Sequence, residues 1–284
     1  MAAKHRPQLT NAAKPATFEV EAYNERGEMV PTAIAGEHPL TLYLDKREIV
    51  TLMTLGHAPE ALAIGYLRNQ RLVDSIDDIA AVQVDWETES VAITTRGKKK
   101  DISAKMEKRT VTTGCGQGTV FGDLMAEIDQ VKLRDDVRLT DAQLFDLIDK
   151  VRKYETIYKQ AGAVHGCALA RTTGEAAAEI MMFIEDVGRH NAVDAIAGNM
   201  WLEAIDGSDK IFYTTGRLTS EMVIKCAQMR IPFLVSRSGL THMGYSVASK
   251  VGLTMLGRAS GRHYLLFTGK ERLVRSLAQP TALA

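Results

Sequence analysis

The feature that most constrains the fold is an alternation of short apolar runs with helical segments in the C-terminal half of the chain. Segments with apolar residues at helical spacing cover 193–204 and 220–229 and surround Val247. The short apolar runs, typical of buried strands, lie at 164–170, 179–184, 211–215, 233–236, 253–256 and 264–268. This alternation predicts an α/β core domain, a sheet with helices on its faces, over residues 140–284.

The N-terminal half predicts a smaller and more irregular α+β region over residues 18–139, preceded by a disordered tail over 1–17. A helix is expected to open at Ala58-Pro59-Glu60, because proline suits the first helical turn. Residues 96–109 are strongly basic, and both a solvated hairpin and a site for an acidic partner are consistent with them. Short strands are expected at 18–23, 40–44, 81–84 and 91–95.

Composition excludes several classes of partner. Lysine plus arginine equal aspartate plus glutamate at 35 each, so net charge predicts no nucleic-acid or acidic-membrane partner. The sequence shows no apolar run of about 18 residues, which predicts no membrane span. The first 15 residues are polar and lack the apolar core of a signal peptide, so we expect a cytoplasmic protein.

The chain contains three cysteines, an odd number at wide spacing, so thiols are expected rather than a disulfide framework. Cys115 lies in the glycine-rich segment Thr-Thr-Gly-Cys-Gly-Gln-Gly, where glycine permits close approach of another molecule. A thiolate there can act as a nucleophile and carry a persulfide, although a small buried turn residue is equally consistent with the loop. Cys167 and Cys226 are expected to be core residues.

Polar clusters follow the ends of several predicted strands, where open α/β sheets usually bind their ligands. The clusters at 185–194 and 214–221, with Ser236 and the basic stretch 257–263, could bind phosphate or a pterin. Helix capping and a plain basic hairpin are the structural alternatives. The candidate binding residues are Asp186, Arg189, His190, Asn191, Gly216, Arg217, Ser220, Ser236, Arg258, Ala259, Ser260, Gly261, Arg262 and His263.

A zinc site is less favoured by the sequence. His165 and Cys167 form the one close histidine–cysteine pair, and no Cys-x-x-Cys motif supplies further ligands.

Three of these segments carry a resemblance to a known family. Glu-Asp-Val-Gly-Arg-His-Asn-Ala-Val-Asp at 185–194 resembles the hallmark of the formate dehydrogenase accessory sulfurtransferase family. Gly-Arg-Leu-Thr-Ser-Glu-Met-Val at 216–223 and Ile-Pro-Phe-Leu-Val-Ser at 231–236 resemble that family's next two blocks, in the same order. Weaker similarity extends the resemblance over roughly residues 35–270.

The resemblance implies a cytidine deaminase-like three-layer α/β core and a homodimer. It implies a sulfurtransferase that takes persulfide sulfur from a cysteine desulfurase. The sulfur would pass to the molybdenum or tungsten bis(guanine dinucleotide) cofactor, a bound substrate, before insertion into formate dehydrogenase. The persulfide cysteine of the family maps onto Cys115, and its C-terminal cofactor-contacting stretch onto 258–263.

The sequence departs from the family pattern at three positions. Gly118 takes the place of the second cysteine of a common Cys-x-x-Cys, so Cys115 would carry sulfur without a partner thiol in this loop. Ser260 stands where an arginine is common and Arg258 where an aromatic is common. Two alternatives remain: a non-catalytic cofactor-binding chaperone for formate dehydrogenase, and a zinc nucleotide deaminase, whose required glutamate is missing beside His165.

Overall fold

The computed structural model describes residues 6–97, 128, 130–154 and 156–275, together with the backbone of 110–112 and 115–119. The chain forms two compact units. The first comprises Met1–Glu127, Glu155–Cys167 and Ile184–Ile205, and the second comprises Ile128–Tyr154, Ala168–Phe183 and Asp206–Ala284. The division expected at residue 139/140 differs from these units, which place 155–167 and 184–205 with the N-terminal residues. No helix in the described ranges is long and apolar enough to cross a membrane.

The first unit contains a five-stranded sheet with strand order β1-β6-β7-β4-β5. Its strands are β1 (Gln8–Leu9), β4 (His38–Leu44), β5 (Arg47–Thr54), β6 (Ile79–Asp85) and β7 (Ser90–Thr95). The pairing of β1 with β6 shows that Gln8 and Leu9 are ordered, so the disordered tail expected over 1–17 was wrong at these residues. A separate hairpin pairs β2 (Thr17–Tyr23) with β3 (Met29–Ala35).

Two helices, α1 (Pro59–Asn69) and α4 (Arg189–Leu202), pack closely against each other in the first unit. Pro59 opens α1 and Glu60 follows in its first turn, which confirms the predicted start of this helix. Glycine permits the close approach, because a Cβ on Gly65 would lie 1.7 Å from the carbonyl oxygen of Asp194. The apolar side chains of both helices join those of the sheet in one core.

The second unit holds most of a six-stranded sheet with strand order β12-β11-β13-β14-β15-β16. Strands β13, β14 and β15 run parallel, and β16 returns antiparallel to β15. The strands are β11 (His165–Thr173), β12 (Ala177–Asp186), β13 (Lys210–Thr214), β14 (Phe233–Ser236), β15 (Thr254–Ser260) and β16 (His263–Thr268). Four further short strands are β8 (Thr110–Thr112), β9 (Cys115–Thr119), β10 (Leu139–Thr140) and β17 (Leu273–Val274).

Within the described ranges, the remaining α-helices are α2 (Asp141–Tyr154), α3 (Ile157–Ala161), α5 (Ser220–Gln228) and α6 (His242–Val251). The start of α2 is fixed by a reciprocal cap. The backbone N–H of Gln143 donates to Thr140 Oγ1, and the backbone N–H of Thr140 donates to the side-chain Oε1 of Gln143. The mixed α/β class expected from the sequence is confirmed, and the N-terminal residues are more regular than predicted because they form an ordered sheet.

Candidate functional site

Cys115 is the first residue of β9, which pairs antiparallel with β8. Thr112 lies opposite Cys115 in this pairing, so only two residues connect the two strands. Cα atoms of β9 also lie within 8 Å of β5 in the same unit. The side chain of Cys115 and residues 98–109 of the basic segment lie outside the described residues. The nucleophilic role of Cys115 therefore stays a prediction.

The other two cysteines are fully buried. Cys167 in β11 and Cys226 in α5 each have 0% of their surface exposed. The expectation that both are core residues is confirmed. A thiol must be reached by its reaction partner to exchange sulfur, so neither can receive sulfur from another protein in this conformation.

Asp186, at the end of β12, has a buried carboxylate that accepts four hydrogen bonds. Oδ2 accepts from Thr54 Oγ1 at 2.5 Å and from the Leu55 amide at 3.1 Å. Oδ1 accepts from the Gly188 amide at 2.9 Å and from Asn191 Nδ2 at 2.8 Å. Burial raises the pKa of Asp186 above its ordinary value, and the four hydrogen bonds oppose this shift. Asp186 thus holds the end of β5 against the start of α4.

Asn191 completes this connection. Its Nδ2 also donates to the Met53 carbonyl at 2.6 Å, so one amide group bridges β5 and Asp186. A Cβ at Gly188 would lie 3.0 Å from this nitrogen, which explains the glycine at that position. Arg189 and His190 are buried as well. The alternative expectation, a helix cap by Asp186 or Asn191 with the other residues solvated, was wrong: the N-cap of α4 is Gly188 without a side-chain cap hydrogen bond, and the other polar residues of the cluster are interior. Cofactor contact by these four residues stays a prediction.

Glu185 caps the N-terminus of the short helix α3. Its Oε2 accepts from the Thr156 amide at 3.1 Å and the Ile157 amide at 2.9 Å. Its Oε1 accepts from the Tyr158 amide at 3.0 Å. The carboxylate thereby satisfies the free N–H groups at the start of α3. Local sequence patterns miss this role, because the capping residue follows the helix by almost thirty positions.

His57 is a second residue that sequence patterns did not identify. It follows Gly56, whose φ of +76° turns the chain between β5 and α1. Burial lowers the pKa of His57, while the nearby carboxylates of Asp186 and Glu185 raise it. The Nδ1 atom is buried, and no hydrogen-bond partner for it is found among the described residues. The neighbouring glycine and the proline that follows could have indicated a constrained turn, though not its acidic surroundings.

In the second unit, three neighbouring parallel strands end along one edge. There the Ser236 hydroxyl donates to the Gly216 carbonyl at 2.7 Å and accepts from the Ser238 amide at 2.9 Å. The Arg258 amide in turn donates to the Ser238 carbonyl at 2.9 Å. The segments after β13 and β14 and the end of β15 therefore form one hydrogen-bonded surface. Ser236 itself is buried, and its two hydrogen bonds link the segments that follow β13 and β14.

This edge carries a local excess of positive charge. Arg217, Arg237 and Arg258 are exposed there, one from each of the three strand ends. We call these three residues the arginine edge. Helix α5 begins at Ser220 beside it, and the N-cap of α6, Thr241, donates its amide to the Leu218 carbonyl at 3.1 Å. Helix N-termini and guanidinium groups both favour anions, so the arginine edge suits a phosphate-containing ligand.

The predicted stretch 258–263 divides between this edge and a hairpin. Ser260 pairs with His263 across a tight turn through Gly261, whose φ is +56°. Arg262 forms an ion pair with Asp149 at 3.3 Å and lies 5.1 Å over the Phe145 ring, so it rests on α2. The Ala259 side chain is buried among apolar side chains of the second unit, and its expected cofactor contact stays a prediction.

Apart from residues 259–263 of the hairpin, the predicted binding residues thus fall into two sets. Gly216, Arg217, Ser220, Ser236 and Arg258 come together at the edge of the second unit. Asp186, Arg189, His190 and Asn191 come together in the interior of the first. Within the described ranges, no group of three or more histidine, cysteine, aspartate or glutamate side chains could hold a metal ion.

Similar proteins with known names support one family. A sulfur carrier protein FdhD from Wolinella succinogenes is 27% identical over 84% of this chain and 81% of its own length. A protein of the same name from Sulfurisphaera tokodaii is 29% identical over 88% of this chain and 95% of its own length.

A crystal structure of a candidate formate dehydrogenase accessory protein from Desulfotalea psychrophila covers 92% of this chain and 100% of its own chain. The two structures have a TM-score of 0.72 and 24% identity, so this likeness supports the fold. The sequence profile of the FdhD/NarQ family matches residues 35–274, which include the interior cluster around Asp186, the arginine edge and the cysteine strand β9. The chain therefore belongs to the FdhD/NarQ family.

Proposed function

We propose that this protein is a sulfurtransferase that carries sulfur on Cys115. It would take persulfide sulfur from a cysteine desulfurase and pass it to the molybdenum or tungsten bis(guanine dinucleotide) cofactor, its substrate, for use in formate dehydrogenase. The names of the similar proteins support sulfur carriage. The observation that carries the proposal is the complete burial of Cys167 and Cys226, which leaves Cys115 as the thiol for exchange.

The transfer to Cys115 needs one thiolate and no oxidant. The Cys115 thiolate attacks the outer sulfur of the donor persulfide, and a new S–S bond forms at Cys115. The S–S bond of the donor breaks, and the donor cysteine leaves as a thiolate. Atoms and electrons balance without a second cysteine, which agrees with glycine at position 118.

The arginine edge supplies a site for the guanine dinucleotide cofactor. Its three exposed guanidinium groups can pair with phosphate oxygens in a bidentate manner, and the adjacent start of α5 adds free backbone N–H groups. The interior cluster around Asp186 then has a supporting role, since its polar atoms hold the first unit together. No resident catalytic cofactor is proposed.

Mass spectrometry tests the sulfur step directly. The protein is incubated with a cysteine desulfurase and cysteine, and its peptides are searched for an added sulfur atom. We expect the adduct on the Cys115 peptide, its loss in Cys115→Ala, and its retention in Cys226→Ala. An adduct confined to another cysteine, or none in the wild type, would contradict the proposal.

A cofactor-binding chaperone without sulfur chemistry is the alternative. The arginine edge would serve this function equally well, because pairing of guanidinium groups with phosphate needs no thiol. Formate dehydrogenase activity in cells separates the two functions. A Cys115→Ala variant that supports full activity favours the chaperone, and one that abolishes activity at normal protein levels favours the sulfur carrier.

The family resemblance extends the proposal to three further properties. We propose a homodimer, a cytoplasmic location and a cytidine deaminase-like three-layer arrangement of the α/β core. Light scattering of the purified protein measures its mass in solution, and a monomer at micromolar concentration would contradict the homodimer.

A further inference from the structure

Strand β12 lies at one edge of the six-stranded sheet, where β11 is its one neighbour among the described strands. Its residues 180–184 read Ile-Met-Met-Phe-Ile, and all five are half-buried. An edge strand exposes a row of backbone N–H and C=O groups, which natural proteins usually protect with charges, proline or a covering element. Residues 180–184 contain no charge and no proline. We call these five residues the open edge.

Contacts of Ala178 with α2 show which backbone groups of β12 point away from the sheet. The Ala178 amide donates to Asp146 Oδ2 at 2.8 Å, and its carbonyl accepts from Lys150 Nζ at 2.6 Å. Backbone groups alternate sides along a strand, so those of residues 180, 182 and 184 also point outward. Among the described residues, no loop backbone bonds these outward groups. The protection that α2 gives to Ala178 therefore stops before the open edge.

The side chains at the open edge fit an apolar partner. Tyr154 of α2 is 46% exposed, and its ring centroid lies 5.8 Å from that of Phe183. Methionine and aromatic residues are enriched in protein interfaces. Residues 180–184 offer no charged side chain to a charged partner. The complementary partner is therefore a strand that is itself neutral and apolar.

The open edge is complementary to a second copy of itself. In an antiparallel pair about a two-fold axis at Met182, Met182 faces its own copy and Ile180 faces Ile184. Every residue with outward backbone groups then meets another such residue, so each outward N–H finds a C=O. A register shifted by two residues would leave one end of the open edge unpaired.

Charge at the ends of the open edge permits this pairing. In the same register, Glu179 of one copy lies opposite Glu185 of the other. Each carboxylate is already compensated within its own copy. Glu179 forms an ion pair with Arg171 at 2.7 Å, and Glu185 accepts the N–H groups at the start of α3. The remaining pairs, between residues 180 and 184, are apolar and add the packing that stabilises neighbouring strands.

We infer that β12 pairs with β12 of a second copy across a two-fold axis at Met182 and joins two sheets into one. This inference rests on the homodimer of the proposed function and deepens it by naming the interface and the residue on the axis. It uses no property of Cys115, so dimer formation and sulfur transfer are tested separately.

Opposite charges at Met182 test this self-pairing directly. Met182→Lys places two ammonium groups opposite each other and should weaken the Kd of the dimer about tenfold or more, as should Met182→Glu with two carboxylates. An equimolar mixture of the two variants should form a heterodimer with a Kd within about threefold of the wild-type value. Sedimentation equilibrium measures the Kd, and affinity tags of different size identify the heterodimer.

A proline at the same position tests the backbone hydrogen bonds. Proline has no N–H and is tolerated in an edge strand where that N–H faces solvent. Met182→Pro should therefore keep the native circular dichroism spectrum and lose the dimer. The matched control Met182→Val retains the N–H and the preference for a strand, so its Kd should stay within about twofold of the wild-type value. The charged variants keep the test decisive if the proline variant unfolds.

Three results would overturn the inference. The first is a wild-type monomer at micromolar concentration, and the second is a dimer whose Kd is unchanged in Met182→Lys and Met182→Pro. The third is a pair of monomeric Lys and Glu variants that do not associate with each other, since Met182 would then not face its own copy. Failure of sulfur to reach Cys115 would instead refute the sulfur carrier and would leave these outcomes unaffected.

Discussion

Replacing Asp186 with asparagine tests whether the interior cluster is held by a carboxylate or merely by a side chain of that shape. The carboxylate accepts from two backbone amides on opposite oxygens, Leu55 on one and Gly188 on the other. An asparagine oxygen can satisfy only one of these sides. The least costly orientation keeps the oxygen toward Gly188 and points the amide nitrogen at Thr54 and Leu55.

The size of the effect follows from that orientation. The Thr54 hydroxyl can turn to accept from the new amide, but the Leu55 N–H then faces another donor. One buried N–H left without an acceptor costs about 1–3 kcal/mol. We therefore expect Asp186→Asn to lower the free energy of unfolding by about 1–3 kcal/mol at pH 7.

The pH dependence supplies an independent check. The pKa of Asp186 is raised in the folded protein, so its contribution to stability is fully present below the unfolded pKa. That contribution is lost as pH rises through the folded pKa. The difference between wild type and Asp186→Asn should therefore shrink as pH rises. Urea unfolding followed by circular dichroism at several pH values measures it.

A matched control is Asp149→Asn, whose side chain is 48% exposed and should change stability by about 0.5 kcal/mol or less. Wild-type stability in Asp186→Asn, or a difference that grows with pH, would refute the reasoning. Equal losses in both variants would show that any lost carboxylate has this effect.

Three further predictions concern packing, titration and ligand binding. Gly198→Ala should lower the free energy of unfolding by about 3 kcal/mol or more, because its Cβ would lie 1.9 Å from the Ala61 carbonyl oxygen. The control Gly239→Ala, which has open space around it, should leave the stability unchanged, and thermal unfolding of both variants measures the difference. His57→Gln should make the free energy of unfolding less dependent on pH. The pKa of His57 is lowered in the folded protein, so its contribution to stability is present above the unfolded pKa and is lost as pH falls through the folded pKa; parallel wild-type and variant curves would argue against this. Arg217→Ala should weaken guanosine diphosphate binding about tenfold by calorimetry, and an equal loss in Lys132→Ala would point to net charge alone.

The sequence was informative where periodicity and local motifs decide structure. The strand ends near Thr214 and Ser236 were placed correctly, because parallel strands bring their carboxyl ends to one edge. The sequence did not reveal the interior position of Arg189 and His190, since charged residues after a strand look alike whether they face solvent or a second helix. Gly198 allows α1 to pack closely against α4, but the sequence alone does not show that these two helices are neighbours.

Capping between residues far apart in the chain could not be predicted from the sequence either. Glu185 and His57 act through residues far from them in sequence, and no local pattern encodes such a pairing. The hairpin strand β3 was missed for another reason. Its exposed apolar residues alternate without a buried face, so the usual contrast between inside and outside is weak.

The discontinuous first unit affects how the chain can fold during synthesis. Helix α1 ends at Asn69, yet the helix that covers it ends at Leu202, 133 residues later. At about 5–20 residues per second, a ribosome needs about 7–27 s to make that stretch. Throughout this interval the nascent helix lacks its glycine-lined neighbour, and an N-terminal fragment ending near residue 139 would lack it permanently. Such a fragment should be prone to aggregation and dependent on chaperones. The full chain can complete this core once Leu202 has left the ribosome.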